Sequence, residues 1–316
     1  KGVTNNPPIQ RVILVFPHFS VDGWSLQVIA NEISILLRAK SEELHPNLIR
    51  ARDYRATFGD YSRWVSESTG HPDSYNFWLE QLCNCTTTVQ FPLTRLNAPH
   101  NVLSDTASSI IYQLPRVNSL DLKAASSALD VSSYHLCLSI FADLVSKSTD
   151  ADDFIIATIL SGQLLSGMHG LVGNCTSILP LRFNTINLQG EPLVYTSSLF
   201  QLSVKHWNVD FRQLIKDLGV SVNKIGHAFA NVCFNFDEIQ SSQSLLAESI
   251  SYNPPFDHSC RWDLFLNLSS SPSGTTIEIQ YNPKVISRSL AQHLTAAYSI
   301  TLCNYLIQSG SSAQSI

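Results

Sequence analysis

Charge is scarce in this chain, and no apolar run is long. Asp, Glu, Lys and Arg make up 14% of the 316 residues, the formal balance is -5 at pH 7, and the 20 Lys and Arg residues form no basic run. A chain without that electrostatic footprint is not expected to bind nucleic acid or an anionic membrane. No stretch approaches the ~18 apolar residues that span a bilayer, and the opening KGVTNNPPIQ lacks the apolar centre of a signal peptide. These absences predict a soluble cytoplasmic protein. The abrupt start leaves room for an upstream segment carrying an address.

Other signatures are also missing. The seven cysteines stand at 83, 85, 137, 175, 233, 260 and 303. Only Cys83 and Cys85 are close, and C-N-C lacks the two-residue spacer of a zinc hook, with no second pair to complete four ligands. They read as reduced, structural thiols. The ten histidines show no H-E-x-x-H spacing, so no metal is expected. GQLLSGMHG (162–170) has no Walker lysine and is not G-x-G-x-x-G; Gly162 and Gly173 read as turn residues. His135, His206, His227 and His258 have no carboxylate at motif spacing. A serine hydrolase would need a G-x-S-x-G elbow, which is absent. No internal repeat is present.

What the chain has is apolar mass, 44% hydrophobic, enough for one large domain or two lobes. RVILVF (11–16) reads as a buried strand, and after Asp22-Gly23 the spacing of Leu26, Ile29, Ile33, Leu36 and Leu37 predicts a helix with Ser25 as its N-cap. The polar stretch 39–60 reads as a crossing between lobes, and a helix over 61–82 is broken near Gly70, His71 and Pro72. IIYQLP, DFIIATILSGQ, SILPLRFNT, ANVCFNFDEI, CRWDLFLNLSS and TTIEIQYNP read as strands. SSYHLCLSIFADLVSKS, 195–219 and 287–307 read as helices, SSSPSG (269–274) as a hairpin loop, and the tail after Ser309 as frayed. Trp64, Trp78, Trp207 and Trp262 are expected in the core or at a lobe interface. Strands with covering helices make an α/β or α+β layered fold around a mixed sheet.

The chemical signal is VFPHFSVDGWS at 15–25, where a strand delivers His18, with Asp22 four residues on and Gly23 permitting a sharp exit. Imidazole at a strand end is placed to project into a cleft. By itself such a histidine is more often a satisfied, partly buried side chain.

Further segments, in order, resemble the condensation domains of nonribosomal peptide synthetases, in the chloramphenicol acetyltransferase-like superfamily. PHFSVDG matches H-H-x-x-x-D-G, which puts His18 on the second, catalytic histidine, Asp22 on the aspartate and Gly23 on the glycine; Trp24 and Ser25 also suit the pattern. FGDYSRW (58–64) is similar to Y-x-D-[FY]-A-x-W, YNFWLEQL (75–82) to the tryptophan helix, and FPLTR (91–95) to the L-P-L-D-R stretch. ATILSGQ (157–163) stands where a strand ends in G-R. LVGNCTSILPLR (171–182) resembles I-G-x-F-V-N-T-x-P-x-R, placing Arg182 on its arginine, and HWNVDF (206–211) is a weaker match to H-Q-D-x-P-F. The order holds from residue 12 to about 307.

The departures are Pro17 for the first histidine, Ser177 for an asparagine and Gln163 for the arginine after Gly162. The resemblance implies two lobes, 1–55 as the remainder of the first and 56–316 as the second, with the rest of the N-terminal half in the same or a separate chain. It implies acyl transfer between carrier-bound substrates presented on phosphopantetheine arms, with no other cofactor, to give an amide or, from a hydroxyl acceptor, an ester. His18 would lie near the attacking nitrogen as general base, as a positioning group or as a stabiliser of the tetrahedral intermediate. Asp22 would pair with Arg182, and Pro17 and Ser177 would flank the site. Two alternatives stay open: a module that docks carrier proteins without catalysis, and a coenzyme A-dependent acyltransferase of the same superfamily, although the D-F-G-W-G segment of the plant type is absent.

Overall fold

In the computed structural model the described residues are 13–17, 19–41, 56–85, 88–92, 106–163, 168, 170–220, 229–238 and 260–310. They form two compact units, 1–61 with 161–176, and 62–160 with 177–316. This division differs from a single cut near residue 55, because the segment after Ser161 groups with the first unit.

In the second unit the sheet is mixed. Its strands are β1 (Ser108–Leu114), β2 (Asp153–Ser161), β3 (Thr176–Asn184), β4 (Val232–Glu238), β5 (Leu264–Ser271) and β6 (Gly274–Tyr281), ordered β1-β6-β5-β4-β2-β3. β2, β4 and β5 run parallel, whereas β5, β6 and β1 are antiparallel neighbours. Alternation decides which face is covered. Leu264, Leu266, Leu268, Ile277, Ile279 and Tyr281 are buried, while Asn267 opposite Glu278 and Ser269 opposite Thr276 face the half-exposed side. β2 carries the unbroken buried run Phe154–Ala157 of a parallel strand covered on both faces. The β5–β6 hairpin turns at Pro272-Ser273, within the expected loop, with Ser271 opposite Gly274.

The helices are α1 (Gly23–Ser41), α2 (Phe58–Ser68), α3 (Pro72–Leu82), α4 (Ser119–Ala128), α5 (Ser133–Thr149), α6 (Thr185–Gly190), α7 (Pro192–Lys205), α8 (Phe211–Asp217) and α9 (Arg288–Gln308). α5 packs on β4 and α9 on β1 and β6, and the fully buried Tyr298 on α9 donates its hydroxyl to the Cys137 carbonyl on α5 at 3.1 Å. Starts follow the capping rules: Ser132 and Ser287 accept from His135 N and Leu290 N, and Pro72 and Pro192 open α3 and α7. α4 lies beyond the sequence reading, yet Asn118 and Asp121 close a reciprocal capping box, a signal visible as N-x-x-D. The expected helix over 195–219 is two helices, because Asp210 accepts from Arg212 N and Gln213 N and starts a new one. Among the described residues no single helix is long and apolar enough to cross a membrane.

One expected strand is not observed. Ile13, Leu14, Val15 and Phe16 are exposed and carry no ladder, and residues 11 and 12 lie outside the described set. An apolar β-branched run becomes a strand only where a neighbour supplies hydrogen bonds and cover, and no described strand pairs with it. Most of the 39–60 crossing and the tail beyond Gly310 also fall outside the described residues.

A buried polar knot joins the strand ends. Asn231 Nδ2 donates to Asp263 Oδ2 at 2.8 Å and to the Val89 carbonyl at 2.9 Å, Asn231 Oδ1 accepts from Val89 N at 3.0 Å, and Asn282 Nδ2 donates to Asp263 Oδ1 at 3.0 Å. Asn231, Asp263 and Asn282 are all at most 3% exposed, so an unmatched atom there keeps its full desolvation cost. Asp263→Asn turns one acceptor into a donor facing an amide N–H. It is expected to lower unfolding free energy by about 2 to 3 kcal/mol in a denaturant titration; an unchanged midpoint would show that the knot is dispensable.

Candidate active site

The motif after His18 is built from a capped helix start. Ser20 donates to the Pro17 carbonyl from its N–H at 2.9 Å and its hydroxyl at 2.8 Å, closing a tight turn. His18 lies outside the described residues. Asp22, 2% exposed, accepts from Ser25 N at 2.8 Å on Oδ1, and its carbonyl accepts from Leu26 N. Asp22 is therefore the N-cap of α1 and the expected cap, Ser25, sits inside the first turn, because a carboxylate three residues earlier reaches the free N–H first. Gly23 needs no special backbone: its φ is not positive, and a Cβ there would meet nothing within 4 Å. The cap makes the turn that the glycine was expected to permit.

The same two side chains fasten the helix to the 171–176 segment of their unit. Asp22 Oδ2 accepts from Cys175 N at 3.0 Å. Ser25 Oγ lies 2.7 Å from Asp22 Oδ1 and 2.8 Å from the Gly173 carbonyl, sharing its one proton between them, and accepts from Gly173 N at 3.0 Å. Beneath them Cys175 O accepts from Gly162 N at 2.8 Å and from the buried Tyr61 hydroxyl at 3.3 Å. Burial, then the Cys175 and Asp22 charges, push the Tyr61 hydroxyl up to about 12. Burial and Asp22 push the Cys175 thiol up to about 11, opposed by a hydrogen bond with Gln163, which is fully buried. Both groups stay protonated at neutral pH and serve as fixed structure.

Gly162 and Gly173 are explained by approach, not by the turns expected of them. Neither has a positive φ. A Cβ on Gly162 would stand 1.9 Å from the Tyr61 hydroxyl and 2.8 Å from Cys175 O, and one on Gly173 would stand 2.1 Å from the Phe58 ring. The segments FGDYSRW, ATILSGQ and LVGNCTS thus converge with the Asp22 motif in one cluster. Phe58, Tyr61 and Cys175 were not singled out in the sequence as site residues. The signal that marks them is the pair of glycines at motif positions.

Arg182 is held within the second unit. On β3 it holds Asp153 in a fork, Nε to Oδ1 and Nη2 to Oδ2 both at 2.7 Å, and Nη1 donates to the Gln81 and Cys83 carbonyls at 3.0 Å each. Asp153, at the start of the neighbouring strand, offers both oxygens in plane, and the α3 carbonyls take the remaining donor. The hydrogen bonds that Asp153 accepts raise the Arg182 pKa above its ordinary value. Ser177 is half-buried on β3. Of the other histidines, buried His135 packs edge-on to Phe200, burial holding its pKa down, and His206 stacks on Phe77 with Nδ1 3.1 Å from Ser74 Oγ; His227 and His258 lie outside the described residues. Trp78 and Trp262 are buried, whereas Trp64 is 38% exposed and tilted against Trp207. Among the described residues no three His, Cys, Asp or Glu side chains converge as a metal set.

Asp22→Ala removes the α1 cap and the tie to Cys175 together and is expected to cost about 2 to 3 kcal/mol of stability, with loss of activity following. Asp22→Asn separates the two, since one amide oxygen can still cap Ser25 N while the amide nitrogen faces Cys175 N. Thermal melts that rank Ala and Asn with wild type would remove the structural role.

The mixed sheet with covering helices is a chloramphenicol acetyltransferase-like fold. The sequence matches the family model of the condensation domain over residues 10–313, and the chain belongs to that family. It is 23% identical to surfactin synthase subunit 1 of Bacillus subtilis (strain 168) over 92% of the chain, and 20% identical to the probable non-canonical nonribosomal peptide synthetase CymA of Salinispora arenicola (strain CNS-205) over 98%. It spans only 8% and 4% of those two proteins. Among solved structures it resembles the condensation domain from Monacolin K polyketide synthase MokA, with TM-score 0.72 and 16% identity over 93% of this chain and 68% of that one. The epimerization domain TycB3(E) of tyrocidine synthetase B gives 0.69 at 13% identity (92% and 68%), and the X-domain from teicoplanin biosynthesis 0.64 at 16% (89% and 67%). One fold therefore serves condensation, epimerization and X-domains alike, and the fold alone does not set the reaction.

Proposed function

We propose that the chain is a condensation-type acyltransferase, joining a carrier-bound acyl or peptidyl thioester to an amine, or a hydroxyl, in the assembly of a nonribosomal or hybrid product. The observation that carries this reading is the Asp22 and Ser25 staple, which fixes the helix that begins five residues after His18. Buried, multiply bonded groups are retained where the geometry of a neighbouring residue matters.

In this reaction the acceptor nitrogen attacks the donor carbonyl, the C–N bond forms, and a tetrahedral intermediate collapses with cleavage of the C–S bond. The proton lost by nitrogen passes to His18, which returns it to the departing thiolate. An imidazole with an ordinary pKa near ~6.5 is suited to both transfers at neutral pH. Two tethered substrates held in one site contribute further through proximity. The phosphopantetheine arms belong to the carriers, which are the partners of the proposed reaction.

A second reading is favoured by Pro17, Ser177 and Gln163, positions where the motif residues are replaced: a condensation-like module that docks other proteins without transferring acyl groups. The X-domain named above, solved in complex with OxyB, supports such a role for this fold. A transfer assay separates the two. Donor and acceptor are loaded on carriers, and products are read by intact mass. Condensed product supports the enzyme; carrier binding without product across a range of donors and acceptors assigns the docking module.

A further inference from the structure

Cys83 is exposed, Cys85 is half-buried, and both are free thiols at the end of α3. Asn84 between them has φ 52, a conformation uncommon for a residue with a side chain, which folds the C-N-C segment into a turn. Cα atoms two residues apart are at most ~7 Å from each other and nearer in a turn, within the roughly 4.4 to 6.8 Å that a disulfide spans. A cation faces this turn from β3: Arg182 Nη1 donates to the Cys83 carbonyl at 3.0 Å. Burial pushes the Cys85 thiol up, Arg182 opposes it, and Asp153 and Cys83 add to the rise. The other five cysteines are less exposed than Cys83, and four of them are buried.

We propose that Cys83 and Cys85 are a peroxide-sensitive pair that closes to a disulfide at the end of α3. The Cys83 thiolate attacks an oxygen of hydrogen peroxide, breaking the O–O bond to give a sulfenic acid and hydroxide. The Cys85 thiolate then attacks the sulfenic sulfur, forming the S–S bond and releasing a second hydroxide. With the two thiol protons the products are one disulfide and two waters; the thiols supply both electrons. The exposed cysteine meets the oxidant and the half-buried one resolves it. Closing the pair acts on the Cys83 carbonyl, one of the two α3 acceptors that Arg182 holds.

The test is peroxide treatment of the folded protein, blocking of remaining thiols with N-ethylmaleimide, and tryptic mass mapping. Residues 64–95 form one tryptic peptide whose only cysteines are Cys83 and Cys85. The expected wild-type result is that this peptide loses two hydrogen masses, takes up no maleimide, and recovers both thiols with dithiothreitol. Cys85→Ser is expected to stop at a sulfenic acid that dimedone traps on Cys83, and Cys83→Ser to leave Cys85 alkylated. Circular dichroism melts of both variants control for folding. A doubly alkylated peptide, over-oxidation of Cys83 without the cross-link in wild type, or a cross-link to another cysteine would each overturn the proposal.

Discussion

Replacing His18 by alanine is expected to lower condensed product by ~10²- to 10⁴-fold, the range that a positioned acid–base group contributes, and to leave the thermal melt at the wild-type temperature. Stability is separable from activity here because the cap, the staple and the two glycine contacts are all made by other residues. If His18 moves the proton, the fall appears in kcat with KM for the loaded acceptor little changed, and the residual rate loses the pH dependence of an imidazole. If it only positions the nitrogen, His18→Gln restores part of the rate, since an amide can still accept and donate a hydrogen bond. Undiminished turnover in His18→Ala would remove the catalytic assignment, and with it the main reason to prefer an enzyme over a docking module.

The strands and long helices were legible because their signals are local. β5 and β6 alternate cleanly, β2 is a continuous apolar run, and Ser132 stands three residues before a hydrogen-bonded N–H that its hydroxyl can reach. What was not legible depends on partners distant in sequence. RVILVF has the composition of a strand, but composition does not supply a neighbour, and Ile13–Phe16 are exposed. Arg182 stands on the motif arginine, but a guanidinium pairs with a carboxylate that presents both oxygens in plane, and Asp153 on the neighbouring strand does so. Asp22 has partners of which the sequence carries no sign: its oxygens accept from an N–H three residues on and from a backbone N–H at Cys175. Gly162 and Gly173 were visible as residues and invisible as contacts, because the rings that crowd them come from α2, about a hundred residues earlier.

Those contacts predict the largest change in stability. Gly162→Ala is expected to lower unfolding free energy by about 3 kcal/mol or more, in the range of overpacking a site that has no room to relax. The new methyl would meet the Tyr61 hydroxyl at 1.9 Å, its ring carbon at 2.9 Å and the Cys175 carbonyl at 2.8 Å, and Tyr61 is only 5% exposed. Backbone on one side and a buried ring on the other leave neither wall free to move. Gly173→Ala places its methyl against Phe58 alone, a ring 41% exposed that can swing toward solvent, so the cost there is expected to be smaller. Tyr61→Phe combined with Gly162→Ala deletes the nearest atom but keeps the carbonyl and the ring carbon. The double variant is therefore expected to recover part of the loss, giving a favourable coupling of about 1 kcal/mol in a double-mutant cycle. Denaturant titrations of the four proteins measure it. Equal costs at the two glycines, or strict additivity of Gly162→Ala and Tyr61→Phe, would mean that the close approach to Tyr61 is not why position 162 is glycine.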